Sequence, residues 1–221
     1  MIANALSLAL REIRRNVLRS FLTILGIVIG VAAVITMVTV GNGATVQVTQ
    51  QIASLGSNLL MVRPGQRMGP GQASTAPAFK LADVQAIARD VPEVAAVVPA
   101  ASQRVTAIYG PQNWSTTVIG TDDQYLVVRN WAVTSGREFT ESELRSGRAA
   151  CLLGATVRQQ LFGAQDPMGL KVRLDKLSCQ VIGVLEAKGQ SSMGTDQDDL
   201  VLMPLRAFQR RIAGNQDVGL I

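Results

Sequence analysis

Few residues in this chain have types and spacing suited to chemistry. Its 221 residues include no histidine. That excludes Ser-His-Asp and Cys-His nucleophile pairs and every histidine-bearing zinc site, and two cysteines are too few for an all-cysteine one. What remains for catalysis is a Ser/Lys dyad or a pair of carboxylates. Ser192-Met193-Gly194-Thr195, with Lys188 just upstream, is the nearest approach to the S-M-x-P nucleophile of membrane-anchored signal peptidases, and it lacks the proline. Asp196, Asp198 and Asp199 offer clustered oxygens of the kind calcium prefers, yet the glycine and terminal glutamate of an EF-hand are missing, and the run reads as a solvated acidic turn. Gly69-Pro70-Gly71 imitates a phosphate-binding turn with a proline where a donor N–H is needed, so it reads as linker. No catalytic, metal or cofactor site follows from these residues. Cys151 and Cys179, 28 positions apart, both fall in expected strands. In an oxidising compartment a bridge between them would contribute about 3–4 kcal/mol by loop entropy. As thiols they would be two small buried hydrophobes.

The elements that must carry these residues begin with a membrane anchor. The chain is 48% hydrophobic and 17% charged, with a mean hydropathy of +0.24, high for a soluble protein. The excess is concentrated. No charged residue lies between Arg19 and Arg63, and Phe21 to Val40 reads FLTILGIVIGVAAVITMVTV, about the 20 apolar residues that cross a ~30 Å hydrocarbon core. A transmembrane helix is expected over residues 20–42. The run is longer than the ~7–15 residues of a signal-peptide core, and it enters Gly41-Asn42-Gly43-Ala44 without an A-x-A site, so it reads as an uncleaved anchor.

Charge placement orients that anchor. Arg11, Arg14, Arg15 and Arg19 stand before it against Glu12 alone, so residues 1–62 carry a net +3 of the chain's +5. The positive-inside bias puts the N-terminus in the cytoplasm and residues after about 42 outside. The basic balance is thus topogenic, and a nucleic-acid partner is rejected because the rest of the chain is nearly neutral. Residues 1–19 form an expected amphipathic helix: Leu6, Leu10, Ile13 and Val17 recur at helical spacing, with Arg11, Arg15 and Arg19 on another face. Such a helix can lie among anionic headgroups or dock a cytoplasmic partner. Gly26 and Gly30 form a GxxxG, a face on which two helix backbones can approach closely. Helix-compatible residues continue over 43–55 as a stalk, with Gly56 as terminator.

Past the stalk, helices and strands mix without regular alternation. Leu59–Val62 and Val94–Val98 read as strands around a helix at Leu81–Arg89. Runs such as VTAIYG, STTVIGT and CLL read as further strands, and Thr140 with Glu143 has the spacing of a capping box. The fold class expected is α+β: one N-terminal transmembrane helix with a stalk, then a mixed extracytoplasmic domain of two lobes.

Several separated motifs resemble one family. The arginine-bearing start followed by RSFLTILGIVIGVAAVITMVTVGNGA and QIASLGSNLLMVRPG resembles the beginning of MacB/FtsX-type ABC transporter permeases. GREFTESEL, LGATVRQQLFGAQDPMGLKVRL and CQVIGVLEAKG resemble landmarks of the family's MacB-like periplasmic core domain. The resemblance implies a stalk from Gly41 through Gly43 to Leu55, a turn at Leu55, Gly56 and Asn58, and a core domain over 56–221. That domain would divide into a porter-like lobe (56–110 and 205–221) and an inserted lobe (111–204). It implies a permease of the bacterial inner membrane that is not itself an enzyme. Its partners would be a cytoplasmic ABC ATPase subunit, a second permease copy forming a dimer, a periplasmic adaptor and an outer-membrane channel. No Walker A motif occurs, so the ATPase is expected on a separate chain. The family has three further spans, none of which lies within these residues, so a fragment or truncated product is expected. The alternative is a single-span anchored adaptor or sensor domain without transport of its own.

Overall fold

Thirty-eight consecutive residues, Val17–Ser54, form one helix, α1. The structure, a computed structural model, describes residues 14–54, 59–65, 77–191 and 194–221. Arg11 with most of the expected amphipathic helix, the turn residues Leu55, Gly56 and Asn58, the Gly69-Pro70-Gly71 linker and Ser192-Met193 lie outside the described residues. The chain divides into two units, residues 1–51 and 52–221.

In the first unit, Val17–Val46 is long and apolar enough to cross a membrane. At 1.5 Å per residue α1 is roughly 57 Å long, against a hydrocarbon core of ~30 Å. It passes Gly41 and Gly43 without a break. Its hydroxyls make no demand on lipid: Thr23, Thr36, Thr39 and Thr45 donate to the carbonyls of Arg19, Ala32, Ile35 and Gly41 at 2.7–2.9 Å. In hydrocarbon every polar group must be satisfied within the segment, and these are.

The second unit is organised by a sheet that closes on itself. Strands β1 (Ala101–Tyr109) and β2 (Gln112–Thr121) form an antiparallel hairpin. β3 is Val133–Gly136, β4 Ala150–Leu153, β5 Lys171–Leu174, β6 Leu177–Leu185 and β7 Leu200–Pro204. β2 pairs in parallel with β7, β7 antiparallel with β4, β4 in parallel with β6, β6 antiparallel with β5, and β5 antiparallel with β1. The circuit returns to its start, leaving β3 as an extra strand on the far half of β6. Closure removes the exposed edges that an open sheet of these strands would present.

Around it lie α2 (Leu81–Asp90), α3 (Gln124–Val128), α4 (Glu141–Ser146), α5 (Ala155–Phe162) and α6 (Leu205–Phe208), followed by a π-helical turn at Gln209–Ala213. Every residue of β4 and β7 is buried, so both read as unbroken apolar runs. Alternate residues pack two ways. Cys151, Leu153, Val201 and Met203 join one cluster with Val118, Val172, Val181 and the α5 residues Val157, Leu161 and Phe162. Ala150, Leu152, Leu200 and Leu202 join another with Tyr125, Leu126, Trp131 and Phe139.

Segments on either side of this sheet in sequence meet beside it. Val62 and Ile221 exchange backbone hydrogen bonds of 2.8 and 3.0 Å, Ala100 and Leu220 exchange bonds of 2.8 and 2.9 Å, and Val218 donates to the Phe79 carbonyl at 2.8 Å. Residues 218–221 therefore lie between the 59–65 segment and Ala100. The strand expected at Val94–Val98 forms no ladder, and pairing starts only at Ala100. The lobe boundary expected at 110/111 falls in the β1–β2 turn, between two strands that share a register along their length.

Gly120 on β2 allows this packing, because a Cβ there would fall on the side chain of the fully buried Phe208. Gly120→Ala is expected to lower stability by about 1–3 kcal/mol through overpacking, read as a shifted midpoint in denaturant titrations followed by the fluorescence of Trp114 and Trp131.

Candidate functional site

The acidic run at 196–199 is not a solvated turn. Its three carboxylates point to different partners. Asp198, 4% exposed, accepts from the backbone N–H groups of Lys188 (2.8 Å) and Gly189 (2.9 Å). Asp196 accepts from the Asp198 N–H and from the Thr156 hydroxyl at the start of α5. Asp199 accepts from the Trp114 indole at 2.8 Å and faces Arg104. A calcium site needs oxygens that converge; here they are spent tying a loop to β2, α5 and the Lys188 strand end. Among the described residues no group of three His, Cys, Asp or Glu side chains is placed to hold a metal.

Lys188 is equally committed. Its ammonium donates to the Arg129 carbonyl at 2.7 Å and stands 5.1 Å from the centre of the Trp131 ring, a cation–π geometry. Burial, aided by Arg129, pushes its pKa down. Trp131 in turn donates its indole N–H to the Glu186 carbonyl at 2.7 Å. This lysine pins α3 to the end of β6.

Thr140 and Glu143 form the capping box at the start of α4, with the hydroxyl accepting from the Glu143 N–H and the carboxylate accepting from the Thr140 N–H. The spacing could not reveal the third partner. Arg137 grips Glu143 with two hydrogen bonds of 2.8 Å, and this pairing, reinforced by Thr140, holds the Glu143 carboxyl down at about 2. Gly136, at φ +86°, lies against the Ile182 carbonyl and sets the strand end from which Arg137 departs. Asp122, by contrast, is pushed up to about 6, first by burial and then by its neighbour Asp123. Its Oδ1 is buried without a hydrogen-bond partner among the described residues.

Cys151 on β4 and Cys179 on β6 are fully buried and joined as a disulfide, with their Cα atoms 6.0 Å apart. Because β4 and β6 pair with Cys151 opposite Val181, the bond runs diagonally across one parallel pair. Of the membrane-flank arginines, Arg14, Arg15 and Arg19 are exposed. Gly26 and Gly30 face open space on α1, one helical turn apart. None of the residues expected to carry function converges on a catalytic centre among the described residues; they are distributed along α1 and within the sheet. Two recesses mark the second unit: one of about 790 Å³ between α5 and the β3–β6 edge, lined by Thr134, Arg158 and Asp166, and one of about 540 Å³ edged by Lys80, Arg206 and Arg210.

Two outcomes follow. Alkylation of the denatured, unreduced chain is expected to leave both cysteines unlabelled in intact-mass analysis, and two labelled thiols would show the pair open. For pH, the signs oppose. Glu143 has a lowered pKa, so its contribution is complete above about 4.5 and fades as pH falls toward 2; Glu143→Gln is expected to lose on the order of 2 kcal/mol at neutral pH, a gap that closes in acid. Asp122 has a raised pKa, so its ionisation weakens the fold as pH rises through about 6; Asp122→Asn is expected to gain on the order of 1 kcal/mol at pH 8 and nothing below about 4. Denaturant titrations across this range read both.

The motif order and fold have matches. A family model, the MacB-like periplasmic core domain, covers residues 20–221. The chain is 38% identical over 215 residues to the macrolide export ATP-binding/permease protein MacB of Syntrophobacter fumaroxidans, covering 96% of this chain and 30% of that protein. It is 42% identical over 208 residues to the protein of the same name from Azoarcus, covering 94% and 31%. The crystal structure of the periplasmic region of MacB from Actinobacillus actinomycetemcomitans superposes with a TM-score of 0.64 at 20% identity, over 76% of this chain and 75% of that one. The chain spans under a third of the length of these curated relatives. With its apolar helix it is a membrane protein with an extracytoplasmic domain, and it belongs to the MacB-like periplasmic core domain family.

Proposed function

We propose that this chain is the first span, stalk and periplasmic core of the permease in a bacterial ABC-type export system. It passes ATPase-driven motion from the cytoplasm to a domain outside the inner membrane. The observation that carries the reading is α1: the helix that is apolar over Val17–Val46 continues unbroken to Ser54. A rigid rod through the bilayer is what mechanical transmission needs, since a break would absorb displacement locally.

The roles divide along that rod. Arg11, Arg14, Arg15 and Arg19 hold the N-terminus inside and face the cytoplasmic ATPase subunit. Gly26 and Gly30 meet the second permease copy. Gly41 and Gly43 lie in the stalk, which hands over to the core domain at Leu55, Gly56 and Asn58. The core engages a periplasmic adaptor, and through it an outer-membrane channel. The core divides into a porter-like lobe (56–110 and 205–221) and an inserted lobe (111–204); the hydrogen bonds that join Val62, Phe79 and Ala100 to residues 218–221 support a porter-like lobe built from both ends of the domain. The relatives' names combine ATP binding and permease; an ATPase supplied from outside these residues is part of the proposal.

Gly43→Pro tests transmission. In proteoliposomes holding the complete transporter, the substitution is expected to abolish stimulation of ATP hydrolysis by the adaptor, by tenfold or more, with unchanged membrane insertion. Stimulation equal to wild type would argue against mechanical transmission through the stalk.

A further inference from the structure

The smaller recess is lined by three cationic side chains, Lys80, Arg206 and Arg210, and by no carboxylate among the described residues. Lys80 is ion-paired with Asp217, and Asp83 is engaged by the Lys80 N–H at 2.7 Å. Gln209 reaches the Asp217 carbonyl, so the two sides of the recess are tied together. Arg206 donates to the Arg145 carbonyl at 2.8 Å, which positions the guanidinium without neutralising it. Among the described residues no carboxylate lies within ion-pair distance of Arg206, Arg210 or Arg211. All three are exposed. They come from six consecutive positions in which α6 gives way to the π-helical turn, an irregularity that recurs at functional sites.

Like charges gathered without a counter-charge repel, and an anionic occupant would relieve that repulsion. The charge is local: residues 63–221 hold 17 basic against 15 acidic side chains, a net +2. The recess is about 540 Å³, and Gly214, Asn215 and Gln216 offer it a polar wall. Among the described residues no aromatic side chain edges it to enter a bilayer. Guanidinium forks match carboxylates in bidentate geometry.

We propose that this recess docks an acidic peptide segment of a partner protein outside the membrane, with carboxylates paired to Arg206 and Arg210. The inference rests on the functional reading above only for the side of the membrane on which the domain lies, and its readout does not involve ATP hydrolysis. The test uses the full chain in a nonionic detergent and a fluorescein-labelled hexaglutamate peptide, followed by anisotropy at low ionic strength. The peptide is expected to bind, to be released by added salt, and to bind at least tenfold more weakly to the Arg206→Gln/Arg210→Gln double variant. Arg173→Gln, on the exposed face of β5, should change binding less than twofold. Near-UV circular dichroism checks that the variants stay folded. The proposal is overturned if wild type fails to bind, if the double variant binds as wild type, or if Arg173→Gln weakens binding equally. It is also overturned if inorganic phosphate, at matched charge, displaces the peptide as well as unlabelled hexaglutamate does, which would mark a free-anion site.

Discussion

The architecture of the second unit depends on β6 serving three neighbours. Its nine residues pair with β5 through Leu177–Gln180, with β3 through Gly183–Leu185, and with β4 between Gln180 and Val184. A strand can have only one neighbour on each side at a given residue, so β5 and β3 must divide one side of it between them. That division turns the sheet back on β1 and closes the circuit. A register shift between Cys151 and Leu152 in the β4–β6 ladder accommodates the bend this requires. The Cys151–Cys179 bond sits in the same strand pair.

Polar side chains then hold loops to this closed sheet from outside. Lys188, Asp196, Asp198 and Asp199 lie within a short stretch between β6 and β7, and each is used on a different neighbour. The Arg137–Glu143 grip does the same for the segment between β3 and β4. Buried carboxylates persist only where paired or hydrogen-bonded. Where pairing is incomplete, at Asp122, the carboxyl is driven toward its neutral form instead. Chemistry that a sequence scan would assign to catalysis or metal binding is thereby consumed in fastening.

The first unit works on the opposite principle. Over Val17–Val46 no described residue of α1 is buried, and the helix answers to a solvent in which backbone groups must be satisfied within the segment. Its threonines bond their own helix, and its glycines leave a face on which another backbone can pack. A lone soluble domain would have no use for such a surface.

Legibility followed physical range. The apolar helix, the capping box at Thr140 and Glu143, the helix near 81–90 and the strand runs VTAIYG, STTVIGT and CLL depend on neighbours within a few residues, so hydropathy and spacing disclosed them, and the α+β class came with them. The motifs that resemble MacB-type permeases carried the family. Closure of the sheet, the parallel β2–β7 and β4–β6 pairings, and the seat of residues 218–221 between Val62 and Ala100 depend on contacts across dozens of residues, and no local pattern encodes them. For the same reason Val94–Val98 looked like a strand while forming no ladder, and Asp196 and Asp199 looked solvated while their donors, Thr156 and Trp114, lie 40 and 85 residues away. What the sequence by itself determined was which segments are apolar, charged or turned; which strand lies beside which, and which arginines are left without a counter-charge, was decided only when the chain closed on itself.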